Sequence, residues 1–183
     1  RRTVALLVAC LGVLFTWSVL SVAAGTGTGS QPLVVEGEAA SVIILDDRAP
    51  LRFRQGAETV VEYVEKATDT RIPIINTTRY EQSPEMWADQ TRIYIGLSAP
   101  EHVEEVEALL RELGDEGFVI HAGNGAVSIV GPSMWGTLFG TNEFLERYVG
   151  VRWLMIGEYG EDVPRAETLT VPDGTVVDEP FFT

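Results

Sequence analysis

Two proline-led amphipathic segments, separated by short β-branched runs, constrain this chain more than any other feature. From Pro50 to about Ala67, the residues Ala57, Val60, Val61, Val64 and Ala67 recur at three- and four-residue steps, while Glu58, Glu62, Glu65 and Lys66 fall on the other side. That period predicts a helix with one apolar stripe, and proline suits its first turn, where the missing N–H has no partner to lose. From Pro100 the pattern returns in Val103, Val106, Leu109, Leu110 and Leu113, and Gly114 closes it. Each stripe needs an apolar layer to cover.

The runs around these helices supply that layer. Leu33–Glu36 and Ala40–Leu45 read as two strands around Gly37, and Thr70–Ile75, Arg92–Gly96, Gly117–His121 and Ala126–Val130 come after them. Gly123-Asn124-Gly125 joins the last two as a hairpin. A third helix is expected from about Trp135 to Tyr148, with Ser133 as N-cap and Gly150 as its end. Gly136 and Gly140 lie one turn apart on it. Glycine costs a helix about 1 kcal/mol per site, so two on one face predict very close approach of a neighbour. Val151–Leu154 and Thr168–Val171 complete the strands, and Asn76–Gln90 reads as a polar loop tucked down by Met86 and Trp87. The order β-β-α-β-β-α-β-β-α-β-β predicts an α/β domain of the α+β type. It is a mixed sheet with helices packed mainly on one face, a two-layer sandwich.

Composition divides the chain around that domain. Residues 1–24 place Arg1-Arg2 before an uncharged stretch that ends in small residues, which describes a secretory signal peptide or an uncleaved N-terminal anchor. Leu7-Val8-Ala9-Cys10 resembles a lipoprotein box, but Leu11-Gly12-Val13-Leu14-Phe15 directly after it is still apolar. Residues 25–32 form a Gly/Thr/Ser linker, residues 33–175 the domain, and residues 176–183 the start of a connector. Both termini read as internal points of a longer polypeptide. The single cysteine, Cys10, precedes the domain, which therefore relies on its core rather than a disulfide. With 27 acidic against 13 basic side chains, the net charge is −14. A field of that sign repels phosphate backbones and anionic lipid, which excludes nucleic acid as a partner and leaves membrane contact only to residues 1–24.

Three stretches resemble a known family. They are the helix–strand unit Ala57–Ile74, then Arg92–Gly96 with Gly117–Ile120 downstream, and finally Gly136-Thr137-Leu138-Phe139-Gly140, Phe144-Leu145-Glu146 and Gly150-Val151-Arg152-Trp153-Leu154. Together they resemble the domain that precedes the barrel in family 67 α-glucuronidases and family 20 β-hexosaminidases, nearest to proteins carrying the domain of unknown function numbered 4838. The likeness runs over about residues 33 to 182. Asp69 departs from it, standing where the family has glycine, so that turn is expected to be strained or differently shaped. Residues 1–24 imply a secreted or cell-envelope location, and the resemblance implies a glycoside hydrolase-like protein. This domain would be non-catalytic in it and would pack on a C-terminal (β/α)8 barrel carrying the hydrolytic carboxylates. It marks Gly136, Gly140, Phe144, Glu146, Gly150, Arg152 and Trp153 as structural motif residues.

The remaining chemistry reads as structural. Glycoside hydrolysis needs two carboxyl groups across a sugar site. Glu158, Glu161 and Asp162, Asp46-Asp47 and Asp115-Glu116 are clustered, but in so acidic a chain such clusters describe solvated surface. His102 and His121 form no zinc-binding pattern, and no serine or cysteine has an identifiable base beside it. The sequence indicates no catalytic residue, metal or cofactor. A free-standing polysaccharide-binding module is the alternative. Trp135, Tyr148 and Tyr159 are among its stacking candidates, and Trp87, on its polar loop, is the aromatic best placed to meet a sugar ring. Tyr94 and Trp153 lie in apolar strands and read as core or interface, with Arg152 pairing to Glu146.

Overall fold

The computed structural model describes residues 29–155 and 157–179. The chain opens with β1 (Ser30–Val35), β2 (Glu38–Ala39) and β3 (Ser41–Leu45), then α1 (Leu51–Thr68) and β4 (Ile74–Asn76). Next come α2 (Thr77–Gln82), a 3₁₀ turn at Pro84–Trp87 and β5 (Thr91–Ile95). A second 3₁₀ turn (Pro100–His102) leads into α3 (Val103–Leu110), β6 (Phe118–Gly123), β7 (Ala126–Val130) and α4 (Met134–Phe144). A π-turn (Leu145–Val149) continues α4, and the short strands β8 (Arg152–Trp153), β9 (Glu161–Asp162), β10 (Leu169–Pro172) and β11 (Gly174–Asp178) complete the order.

Six strands form the central sheet in the order β11-β6-β7-β5-β3-β4. β7, β5, β3 and β4 run parallel, joined by crossovers, whereas β6 is antiparallel to both of its neighbours. The mixed sheet predicted from hairpins and helical crossovers is therefore what forms. The β6–β7 hairpin turns at Asn124 and Gly125, both at positive φ (51° and 74°), as a two-residue loop requires. A small second sheet, β10-β1-β2, closes one side of the core.

Alternation along the strands gives the sheet two apolar faces. Ile43, Leu45, Ile93, Ile95, Ile120, Val127 and Ile129 point to the face covered by α1 and α4, where Val60, Val61, Val64, Phe144 and Leu145 meet them. The two longer helices thus share one face, as expected. The opposite face is not left bare. Val42, Ile44 and Tyr94 are covered by Trp87, while Val119 and Val130 are covered by Val106 of α3. That thin partial layer extends the two-layer description.

Three boundaries differ from the sequence reading. Residues 76–90 are not simply loop: Asn76 caps α2 by accepting a hydrogen bond from the Arg79 N–H (3.0 Å), a local cap that was legible but outweighed by the segment's polarity. The linker ends earlier than residue 32, because Ser30 begins β1 and buried Gln31 donates to Asp173 (2.6 Å). The connector expected from residue 176 starts later, since Gly174–Asp178 pair in register with β6. Pro172 and Gly174 hide that strand in sequence. The signal or anchor segment, residues 1–24, lies outside the described residues. Among those described, no helix is long and apolar enough to cross a membrane.

Candidate functional site

Of the expected motif residues, Gly136, Gly140, Phe144 and Gly150 serve the packing and termination of α4, whereas Glu146, Arg152 and Trp153 are exposed. Ser133 caps α4, its Oγ accepting from the N–H groups of Trp135 (3.0 Å) and Gly136 (3.2 Å) while donating to the Asp115 carbonyl. This fixes the start of α4 against the loop before β6. A Cβ at Gly136 would lie 2.1 Å from the Gly117 carbonyl oxygen, and one at Gly140 would lie 3.1 Å from the Phe118 Cβ. The pair of glycines therefore does what its spacing predicted: it lets α4 touch the β6 strand backbone to side chain. Phe144 is fully buried below them, and Gly150 ends the helical run at φ 85°.

Trp153 reads as an interface aromatic, and its Nε1 donates to the Tyr63 hydroxyl (2.9 Å) with the rings edge to face at 5.5 Å. This contact ties the β8–β9 hairpin to α1. Sequence reasoning missed it because the two residues are 90 positions apart. Arg152 and Glu146 do not pair among the described residues; Arg147 bonds Glu143 instead, one helical turn away. Asp69 takes the left-handed conformation (φ 57°) that glycine would adopt without cost, and its carboxylate receives Arg165 (2.6 Å). The unusual residue is accommodated at the C-terminus of α1 by an added ion pair.

Trp87 is the principal correction. It is 8 % exposed and packs with Val42, Ile44, Ile75 and Tyr94, so it offers no ring face to a sugar. Its loop coils into α2 and a 3₁₀ turn that press the indole onto the sheet. The polar residues around it face outward and carry no information about that.

Two of the candidate acids, Asp47 and Glu161, are held in structural bonds. A cleft of about 480 Å³ opens at the ends of β3 and β4, with Asp46, Asp47, Arg54, Asn76 and Arg79 on its walls. There the Thr78 and Thr77 hydroxyls both donate to Asp47 (2.7 and 2.8 Å), holding its carboxyl below the usual range. Glu161 is lowered too, first by Lys66 (2.9 Å) and then by the Tyr63 hydroxyl. A glycosidase acid needs the opposite shift, upward, to keep its proton.

His102 is buried and bonded at both nitrogens. Nε2 faces the Gly123 carbonyl and must donate to it (3.0 Å), which leaves Nδ1 to accept from the Ser128 hydroxyl (3.0 Å). Ser128 Oγ in turn accepts from the Ala99 N–H (2.9 Å). Burial, and then the charge of neighbouring His121, lower the pKa of His102. This neutral ring joins three segments of the thin layer. Among the described residues, no group of three or more potential ligands could hold a metal ion.

The fold is an α/β domain built on a six-stranded mixed sheet. No family model matches the chain, and no curated protein sequence matches it. Solved structures do. A GH20 β-N-acetylhexosaminidase from Streptomyces coelicolor A3(2) superposes with a TM-score of 0.50 at 17% identity, over 83% of this chain and 24% of that one. A mutant β-hexosaminidase of Streptomyces plicatus bound to its product GlcNAc gives 0.49 at 18%, over the same 83% and 24%. The S. plicatus enzyme bound to Thio-NAglucal gives 0.47 at 18%. The chain spans about a quarter of the length of these enzymes, and the likeness is one of fold.

Proposed function

We propose that this chain is the N-terminal, non-catalytic accessory domain of an exported glycoside hydrolase-like protein, packed against a downstream (β/α)8 barrel. The observation that carries this reading is the fold match to a quarter of a GH20 hexosaminidase, a share that leaves room for a separate catalytic unit. The motif stretches resembling family 67 α-glucuronidases and the domain of unknown function 4838 support it. So does the engagement of Asp47 and Glu161 in structural bonds. The domain's work is then mechanical: a rigid sheet-and-helix block that buttresses its neighbour and faces the cell envelope or exterior. The free-standing sugar-binding alternative loses its leading residue with the burial of Trp87.

Two measurements test the reading. The coding sequence beyond Thr183 is expected to continue into a strand–helix pattern with paired acidic residues; a stop codon shortly after it would refute the accessory role. Purified protein spanning residues 29–183 is expected to leave aryl glucuronides and aryl N-acetylglucosaminides intact, and turnover of either would end the non-catalytic assignment.

A further inference from the structure

We infer that the crevice at the carboxyl ends of β3 and β4 is a binding site for a neutral saccharide, held by Arg54 and Arg79 together with Asp46, Asp47 and Asn76. Its position follows from topology. β3 and β4 run parallel, with Leu45 opposite Asn76 at their ends, yet the chain leaves them towards opposite faces of the sheet. From β3 it enters α1, which covers the face of Ile43, and from β4 it enters α2, whose Tyr80 packs on the face of Ile44. Diverging exits leave a gap between them, and the space outside the carboxyl ends of the strands is where open α/β sheets hold ligands. Its volume, about 480 Å³, lies within the range of small-molecule sites.

The second ground is charge. Two arginines and two aspartates line the crevice, and among the described residues neither guanidinium forms an ion pair with either carboxylate. Local bonds hold them apart. Arg54 Nε donates to the Ala49 carbonyl (3.1 Å), Asp46 accepts from the Arg48 N–H (2.7 Å), and one oxygen of Asp47 takes both the Thr77 and Thr78 hydroxyls. Asn76 accepts from the Arg79 N–H through its Oδ1, which keeps its amide NH2 as a donor. Glu58 on the same wall is already paired with Arg71 (3.2 Å). The remaining charges balance, so the crevice favours neither an anion nor a cation.

The third ground selects the ligand. Donors and acceptors that face one crevice without reaching each other suit a molecule that carries both. A hydroxyl accepts from a guanidinium and donates to a carboxylate through the same oxygen, and a sugar ring presents several such groups side by side. Leu45, Ile74 and Ile75 supply an apolar floor for the C–H face of the ring. An amino-acid zwitterion would satisfy the charges but leave that floor and most of the volume unused. Because the tethers fix the polar groups before binding, little ordering remains to oppose it.

Hydrogen–deuterium exchange on the full-length protein tests this, because it reads the crevice locally even where another part of the polypeptide also takes sugar. The probes are cellotriose, xylotriose and triacetylchitotriose, with glycylglycine as the zwitterion and trigalacturonate as the anion. At a concentration about ten times the dissociation constant, at least one neutral trisaccharide is expected to slow exchange of the α2 amides about tenfold, with α3 unchanged. Arg79→Ala is expected to weaken that binding about tenfold or more, as for the loss of a hydrogen bond to a charged group. Should that variant fail to fold, Asp46→Asn, which keeps an acceptor for the Arg48 N–H, takes its place with the same expectation. No slowing with any of the three sugars, or slowing that survives the substitution, overturns the inference and leaves the accessory role standing, since a buttress needs no sugar site. Slowing by glycylglycine or trigalacturonate alone assigns the crevice to a charged ligand and also overturns it.

Discussion

The two faces of the central sheet are built on different rules. On the α1/α4 face the contact is continuous and apolar, and α4 reaches backbone distance through Gly136. On the other face the cover is made of short pieces, and a polar chain from Ala99 through Ser128 and His102 to Gly123 does part of the holding. The Trp87 indole N–H there is buried with no acceptor among the described residues. Packing alone tolerates no added atom but is indifferent to pH. A buried polar network is directional and titrates. The first face is therefore the rigid half of the domain, and the second the half that conditions can loosen.

The largest test of that contrast is Gly136→Ala. The new methyl would have to displace the Gly117 carbonyl in the loop before β6, and a loss of about 3 kcal/mol is expected in chemical denaturation. A loss under about 1 kcal/mol would show that α4 can slide, and the rigid half would lose its basis. Next comes His102→Leu. It strands the Ser128 hydroxyl and the Gly123 carbonyl, and is expected to cost about 2 kcal/mol near neutral pH. Gly136→Ala should behave alike at all mildly acidic pH values, whereas the histidine effect should not.

The sign comes from the direction of the shift. The folded state holds His102 below its unfolded value of 6.5, so the unfolded chain takes up the proton first. The stability contribution is complete above pH 6.5 and is lost as the pH falls through the folded pKa. The parent protein should lose stability in that window, and His102→Leu should lose less. Parallel profiles would place the acid sensitivity elsewhere. Hydrogen exchange should show α3 and its 3₁₀ lead-in opening before α4. The smallest effect is that of Trp153→Phe, which keeps the ring contact but removes the bond to Tyr63. About 1 kcal/mol is expected, with faster proteolysis of the β8–β9 hairpin as the readout.

The same contrast explains what the sequence made legible. The α1/α4 face is written in periodic apolar residues and in paired glycines, and both survive as local patterns: the α1 stripe, the Ser133 cap and the Gly136/Gly140 contact were all readable. The other face is written in pairings between distant residues. His102 finds Ser128 only because the crossovers put β7 beside the 3₁₀ turn, and Trp87 is buried because a polar segment coils over it. β11 was hidden for a related reason. Its edge position needs only half of its residues to be apolar, so Thr175, Val176 and Val177 between a glycine and an aspartate gave too weak an alternation. Trp135 was visible as an aromatic, but its half-exposure follows from how α4 sits beside α1, which the local pattern does not encode.

That edge strand has a mechanical corollary. β11 is joined to β6 by a register of five residue pairs running antiparallel, and Glu179 just beyond it accepts from the Gly114 N–H. A pull applied at Glu179 along the strand axis would load the ladder lengthwise. Such a load is shared by all of its rungs at once instead of unzipping them one after another. The sheet would resist traction from that side far better than it would resist peeling at Gly174.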